Sequence, residues 1–164
     1  MSSKQFKNII IDRLNDTLKG RQFKKRGNVF SCFNGDLTYY ISIQSSLSST
    51  TDILKLTVNT EIASGLISKL DDISLPIERQ RHYSRRICAY SNDQQDKWWT
   101  VNSVDSAKNA ADEIVEIITN KVIPNFERLR TTEDLAKLWR NGGYIGITEV
   151  QRKNYLDLFD KYSN

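Results

Sequence analysis

The chain has 164 residues, with 24 Lys and Arg against 20 Asp and Glu for a formal net charge of +4, and it is 38% hydrophobic and 10% aromatic. That length suits one domain spanning residues 1–164, and the apolar share builds a core and excludes an intrinsically disordered chain. Two cysteines, Cys32 and Cys88, stand far apart without a CxxC partner, so spacing supports neither a disulfide framework nor a zinc cluster.

The start, Met1 to Lys7, leads into Ile9-Ile10-Ile11 and then at once to Asp12 and Arg13, so no secretory leader is expected. No stretch approaches the ~20 apolar residues that span a bilayer. A cytoplasmic protein with reduced thiols is the expectation. Phe6, Ile10, Leu14 and Leu18 recur every four residues with Ile9 alongside, which predicts an amphipathic helix from about Ser3 to Lys19, capped at Gly20. Phe23–Arg26 and Val29–Phe33 are short strand-like runs around the turn pair Gly27-Asn28. After a second turn at Asn34-Gly35-Asp36, Leu37, Tyr39, Ile41 and Ile43 alternate with polar residues along a half-buried strand. The polar run Ser45–Thr51 predicts a loop, and Leu54, Leu56, Val58 and Ile62 mark another amphipathic strand. Gaps this short exclude parallel crossovers, so the sheet is expected to be an antiparallel meander of about four to six strands.

From Gly65 to Thr100 the pattern is irregular. Leu66–Leu70 suits a helical turn, and Ile87–Tyr90 and Trp98–Val101 suit further strands. Val104, Ala107, Ala111, Ile114, Val115, Ile118 and Val122 then predict a long helix facing the sheet, capped by Asn102 or Ser103 and ended or kinked by Pro124. Thr131 caps a short helix closed by Gly142-Gly143, and the Thr148–Gln151 capping box opens a last amphipathic helix through Tyr155, Leu158, Phe159 and Tyr162. A helix, a run of strands and then helices predict an α+β fold, with the C-terminal helices packed on one face of the sheet.

Charge is unevenly spread. Lys4 to Arg26 contains eight basic residues against Asp12 and Asp16, so the remainder is net acidic. Such an excess can attract phosphates or an acidic protein, or serve only as a solvated surface. Histidine-based triads and zinc centres find one histidine, His82, which suits an orienting or binding role or a hydrogen-bonded structural one. Asn141-Gly142-Gly143-Tyr144-Ile145-Gly146 follows a helix where a phosphate loop follows a strand, so its glycines suit a cap and turn. Adjacency in Asp71-Asp72 and Asp112-Glu113 does not orient two carboxylates across a substrate. No catalytic residue, metal or cofactor is assigned.

The densest unusual stretch is Glu78 to Arg86, followed by Trp98-Trp99. Guanidinium forks and aromatic rings can together form an anion, nucleotide or acidic-protein site, with Arg79, Arg81, His82, Arg85, Arg86 and Trp98 as candidate binding residues. The alternative is structural: arginines paired with acids across the domain and a tryptophan packed in the core. Trp99 and Trp139 suit the core, and Trp98 suits the surface.

Four pieces of the chain, taken in order, carry a family resemblance. They are the early helix leading to Phe23-Lys24-Lys25-Arg26-Gly27-Asn28-Val29-Phe30, then His82–Ile87, Asp96-Lys97-Trp98-Trp99, and Val122-Ile123-Pro124-Asn125-Phe126. Together they resemble the bacterial family known as domain of unknown function 4304 over about residues 1–140, leaving a helical extension at about 147–163. The chain departs from the family at Tyr83-Ser84-Arg85-Arg86, where an Ile-Arg-x-Arg type of run is more usual. The resemblance implies no activity, and the family's likeness to small proteins of toxin and immunity neighbourhoods implies that a protein partner is conceivable. The leading expectation is therefore a non-enzymatic protein-binding module, with an immunity-like role within its scope. A nucleic-acid or nucleotide-binding module is the alternative, and an enzyme of unfamiliar type the third; no membrane partner is expected.

Overall fold

The computed structural model describes residues 1–71, 76, 79–91, 95–142 and 146–164. Helix α1, Ser3–Leu18, buries Phe6, Ile10, Ile11, Leu14 and Leu18, the predicted stripe, and starts at a Ser2–Gln5 capping box. Its end differs from expectation. A 3-10 turn at Lys19–Arg21 uses up the last carbonyls, so the left-handed residue is Gln22 at φ +66° and Gly20 is not the cap.

Strands β1 (Lys24–Arg26), β2 (Val29–Phe33), β3 (Leu37–Ser45) and β4 (Leu54–Ser64) pair antiparallel in that order. Helix α2, Gly65–Leu70, follows β4 as the predicted helical turn. Strand β5, Tyr83–Arg86, then pairs with Ile62–Asn59 of β4, and β6, Trp99–Val101, pairs with Leu56–Leu54 on the same edge. The meander is confirmed, with a strand inside the segment whose sequence pattern is irregular.

Ile87–Tyr90 is a 3-10 helix and not the expected strand. Two short strands share one edge of β4: Thr57 Oγ donates to the Lys97 carbonyl at 2.8 Å, and β6 begins one residue earlier on β4. Only Val58 and Thr57 remain between the two, too short an edge for residues 87–90 to extend β5.

One face of the sheet carries Phe30, Leu37, Tyr39, Ile41, Ile43, Leu56, Val58 and Ile62, all buried. Against it packs α1 beside α3, Val104–Ile117, which buries Ala107, Ala110, Ala111 and Ile114 and opens at a Ser103 capping box. The predicted long helix then widens into a π-turn at Ile118–Val122 and resumes as α4, Ile123–Arg128. Pro124 has no N–H and its ring crowds the carbonyl four residues back, so the wide turn just ahead of it accommodates both.

Helices α5, Thr132–Arg140, and α6, Glu149–Ser163, begin at capping boxes of Thr131 and Thr148. They are joined by an Arg140–Asp160 ion pair and by Arg152 donating to the Trp139 carbonyl. Trp139 and Trp99 are buried as expected. Gly146 at φ +70° brings this last part against the Ser84 carbonyl, where any Cβ would collide.

Candidate functional site

The strand period divides the Arg79–Trp99 segment between two faces. Residues opposite each other in a ladder share a face, so Tyr83 and Arg85, opposite Ile62 and Thr60, turn to the helix side. Ser84 and Arg86, opposite Glu61 and Asn59, turn outward.

On the outer face the basic groups are neutralised. Arg81 Nε lies 3.3 Å from Glu61, with both side chains about three-quarters buried, and its guanidinium stacks 3.6 Å from the Tyr40 ring. Burial pushes the Glu61 carboxyl up, and the Arg81 charge opposes that shift. Arg86 Nη1 donates to both Asp96 oxygens at 3.0 and 2.9 Å, and its guanidinium lies 5.4 Å from the Trp98 ring centre. Trp98 donates Nε1–H to the same carboxylate at 3.0 Å, which with Arg86 holds Asp96 below the usual carboxylate range. Trp98 is thus half-buried and engaged, although it remains the more exposed of the pair.

His82 is fully buried. Its Nδ1 accepts the Ser64 N–H at 2.8 Å, which puts the ring proton on Nε2, and Tyr155 meets the ring edge-on at 4.9 Å. Burial, reinforced by the Arg81 charge, lowers its pKa to about 4. It is a neutral structural histidine and touches no ligand surface. Arg79 is exposed. Six candidate residues therefore do not form one site.

Arg85 is different. With no carboxylate paired to it among the described residues, its Nη2 donates to the Ala89 carbonyl at 2.6 Å and its guanidinium lies 4.4 Å over the Tyr90 ring. Lys121 Nζ likewise donates to the Tyr90 carbonyl at 2.9 Å. Both cations thus sit at the C-terminal end of the 3-10 helix, whose last carbonyls lack partners of their own. Arg85, Ala89, Tyr90, Ser91, Asn120, Lys121, Asn125 and Arg128 line a cleft of about 410 Å³, and none of these is acidic. No ion pair is formed by Arg85, Lys121 or Arg128 among the described residues.

The cleft floor is a hydroxyl network. Thr60 Oγ–H donates to the Arg85 carbonyl at 2.6 Å, so its 3.2 Å contact with Tyr90 is best made by the Tyr90 O–H. Asn125 Nδ2 donates to both the Tyr83 and Tyr90 hydroxyls, at 3.0 and 3.2 Å. Burial raises the Tyr90 phenol, which stays protonated. The floor fixes Arg85 on one wall and α4 on the other, leaving four N–H donors of Arg85 and two of Lys121 beyond these bonds.

The family described as Domain of unknown function (DUF4304) matches residues 14–128, more than half of the chain. The chain belongs to that family. No curated protein and no solved structure matches it. Every residue lining the cleft falls within the DUF4304 match, whose last residue is Arg128, whereas α5 and α6 lie beyond it.

The segment-based candidates include Arg85 and omit Asn120, Lys121, Asn125 and Arg128. Lys121, Asn125 and Arg128 stand at i, i+4 and i+7, a polar face on the helix that Pro124 interrupts, and this is the signal that locates them. The paired acids are divided among partners. Asp71 accepts from Asn154, Asp112 pairs with Arg13, and Glu113 takes Lys97 and the Trp99 indole. Asp72, Glu78 and Gly143-Tyr144-Ile145 lie outside the described residues. Among those described, no three His, Cys, Asp or Glu side chains gather as metal ligands, and no helix is long and apolar enough to cross a membrane.

Proposed function

We propose that this DUF4304 protein is a non-enzymatic binding module whose cleft at Arg85, Lys121 and Arg128 holds acidic side chains of a protein partner. The supporting observation is three cations around one cleft with no acidic residue among its described lining. Arg85 keeps most of its planar fork available, the geometry that takes a carboxylate in two parallel hydrogen bonds. Arg85 already lies over one face of the Tyr90 ring, which favours side-chain carboxylates over a base stacked there. In its narrower form the partner is a toxin-like protein with an acidic face.

A labelled hexaglutamate peptide tests the chemistry. Arg85→Ala and Lys121→Ala should each weaken its binding by about tenfold, and affinity should fall as salt is added. Unchanged affinity in the double variant would remove the cleft from the proposal. Turnover of any substrate that is lost in Arg85→Ala would replace the binding module with an enzyme.

A nucleic-acid reading has its own observation, the exposed Lys24-Lys25-Arg26 of β1. These residues occupy the opposite edge of the sheet from β5, about 19 Å away at four strand spacings, so the two positive regions are no continuous track. Charged edge strands also resist edge-to-edge pairing. Salt-sensitive DNA retention lost in a Lys24→Ala, Lys25→Ala, Arg26→Ala variant and kept in Arg85→Ala would favour this second reading.

A further inference from the structure

A second cleft of about 520 Å³ opens where the end of α1, the β2–β3 turn and the opposite side of α4 meet. Its wall includes Tyr39 and Phe126, stacked at 4.8 Å with ring planes 22° apart. Phe33, on the same lining, is 70% exposed. A lone exposed phenylalanine is ordinary, but this one stands beside buried aromatic rings and two cations. Arg21 and Arg130 line the cleft and make no ion pair among the described residues, and Glu127 is the one acid in its described lining.

The turn that brings Arg21 there is held in a costly conformation. Gln22 is the one described residue other than glycine with positive φ, and its N–H returns to the Lys19 carbonyl. Residues kept in sparsely populated backbone regions concentrate at binding sites. Asn34 fixes the other wall, donating to the Tyr39 hydroxyl at 2.6 Å and to the Arg130 carbonyl at 3.1 Å. The cleft thus pairs an aromatic lining with two guanidinium groups that form no ion pair among the described residues, at a volume within the range of small-molecule sites.

We propose that this cleft binds a planar aromatic anion of about mononucleotide size, with Phe33 as stacking surface and Arg21 and Arg130 meeting the negative group. The site is independent of the Arg85 cleft, which takes its residues from the other side of α4.

Isothermal titration with AMP, 2-naphthoate, adenosine and ribose 5-phosphate tests the proposal. AMP or naphthoate should bind at least about tenfold more tightly than both adenosine and ribose 5-phosphate. Binding by AMP alone identifies a nucleotide site, and binding by naphthoate an aromatic-acid site; either supports the proposal. Phe33→Ser and Arg130→Gln change exposed side chains and should each weaken binding about fivefold with the far-ultraviolet circular dichroism unchanged. Arg85→Ala should leave it intact. Cys32 lines this cleft and Cys88 does not, so the bound anion should slow maleimide modification of Cys32 and not of Cys88. No binding of either aromatic anion at about 5 mM, protection of Cys88 instead, or affinity indifferent to both substitutions would overturn it.

Discussion

Two adjacent arginines, Arg85 and Arg86, leave the same strand on opposite faces and meet opposite electrostatic treatments. Arg86 is closed by Asp96, as Arg81 is by Glu61, and His82 between them is stripped of its proton by burial. Among the described residues Arg85 meets one carbonyl and a ring, and Lys121 and Arg128 beside it form no ion pair there either. Where charge is balanced internally, the side chains hold the fold together. Where it is not, a positive potential is available to a ligand.

The largest expected effect comes from the neutral histidine. A His whose folded pKa lies below its unfolded value near 6.5 contributes its full stability above that pH, and loses it as pH falls toward 4. Urea unfolding should show stability dropping by up to about 3 kcal/mol across that window. His82→Asn, which keeps an acceptor for the Ser64 N–H, should flatten the slope. Equal slopes in both proteins would mean that burial does not hold His82 neutral.

Next comes Glu61→Ala. It removes a carboxylate that pairs with the largely buried Arg81 guanidinium, and breaking a largely buried pair of this kind costs about 2 kcal/mol or more. Hexaglutamate binding should stay unchanged, because Glu61 faces away from the cleft. A variant as stable as the wild type would dissolve the contrast from the structural side.

How much of this was legible follows from which elements bury a regular face. The stripe of α1 and the alternation of β3 and β4 are hydrophobic signals, and the structure keeps them. β5 has none to offer: Tyr83-Ser84-Arg85-Arg86 places a tyrosine and an arginine inward and a serine and an arginine outward, so polarity does not alternate. Ile87–Tyr90 has strand-like composition and becomes 3-10 because β6 occupies the edge it would need. The site was half legible for a related reason. Proximity in sequence grouped Arg79 to Trp98, but a strand divides consecutive residues between faces, and the partners of Arg85 come from a π-turn and a helix some 40 residues on. Pro124 marked a disturbance there without specifying its form.

A smaller effect is expected from Asn125→Leu, which removes the donor to the Tyr83 and Tyr90 hydroxyls. Those hydroxyls retain each other and Thr60 as partners, so the loss should be about 1 kcal/mol, read by thermal unfolding. Peptide affinity should fall too, because the floor that positions Arg85 against α4 loosens. Unchanged affinity would show that the network supports the fold alone.

The smallest stability effect distinguishes the two regions most sharply. Arg128→Ala removes an exposed side chain with no ion pair among the described residues, so denaturant unfolding should move by no more than about 0.5 kcal/mol in either direction. Relieving repulsion among three cations can even stabilise the fold slightly. Hexaglutamate affinity should nevertheless fall several-fold, with a shallower dependence on salt. Arg86→Ala should do the reverse, lowering stability by taking the guanidinium away from Asp96 and the Trp98 ring while leaving the peptide bound. If both variants lost stability and neither lost affinity, Arg85 and Arg86 would differ in partner but not in role.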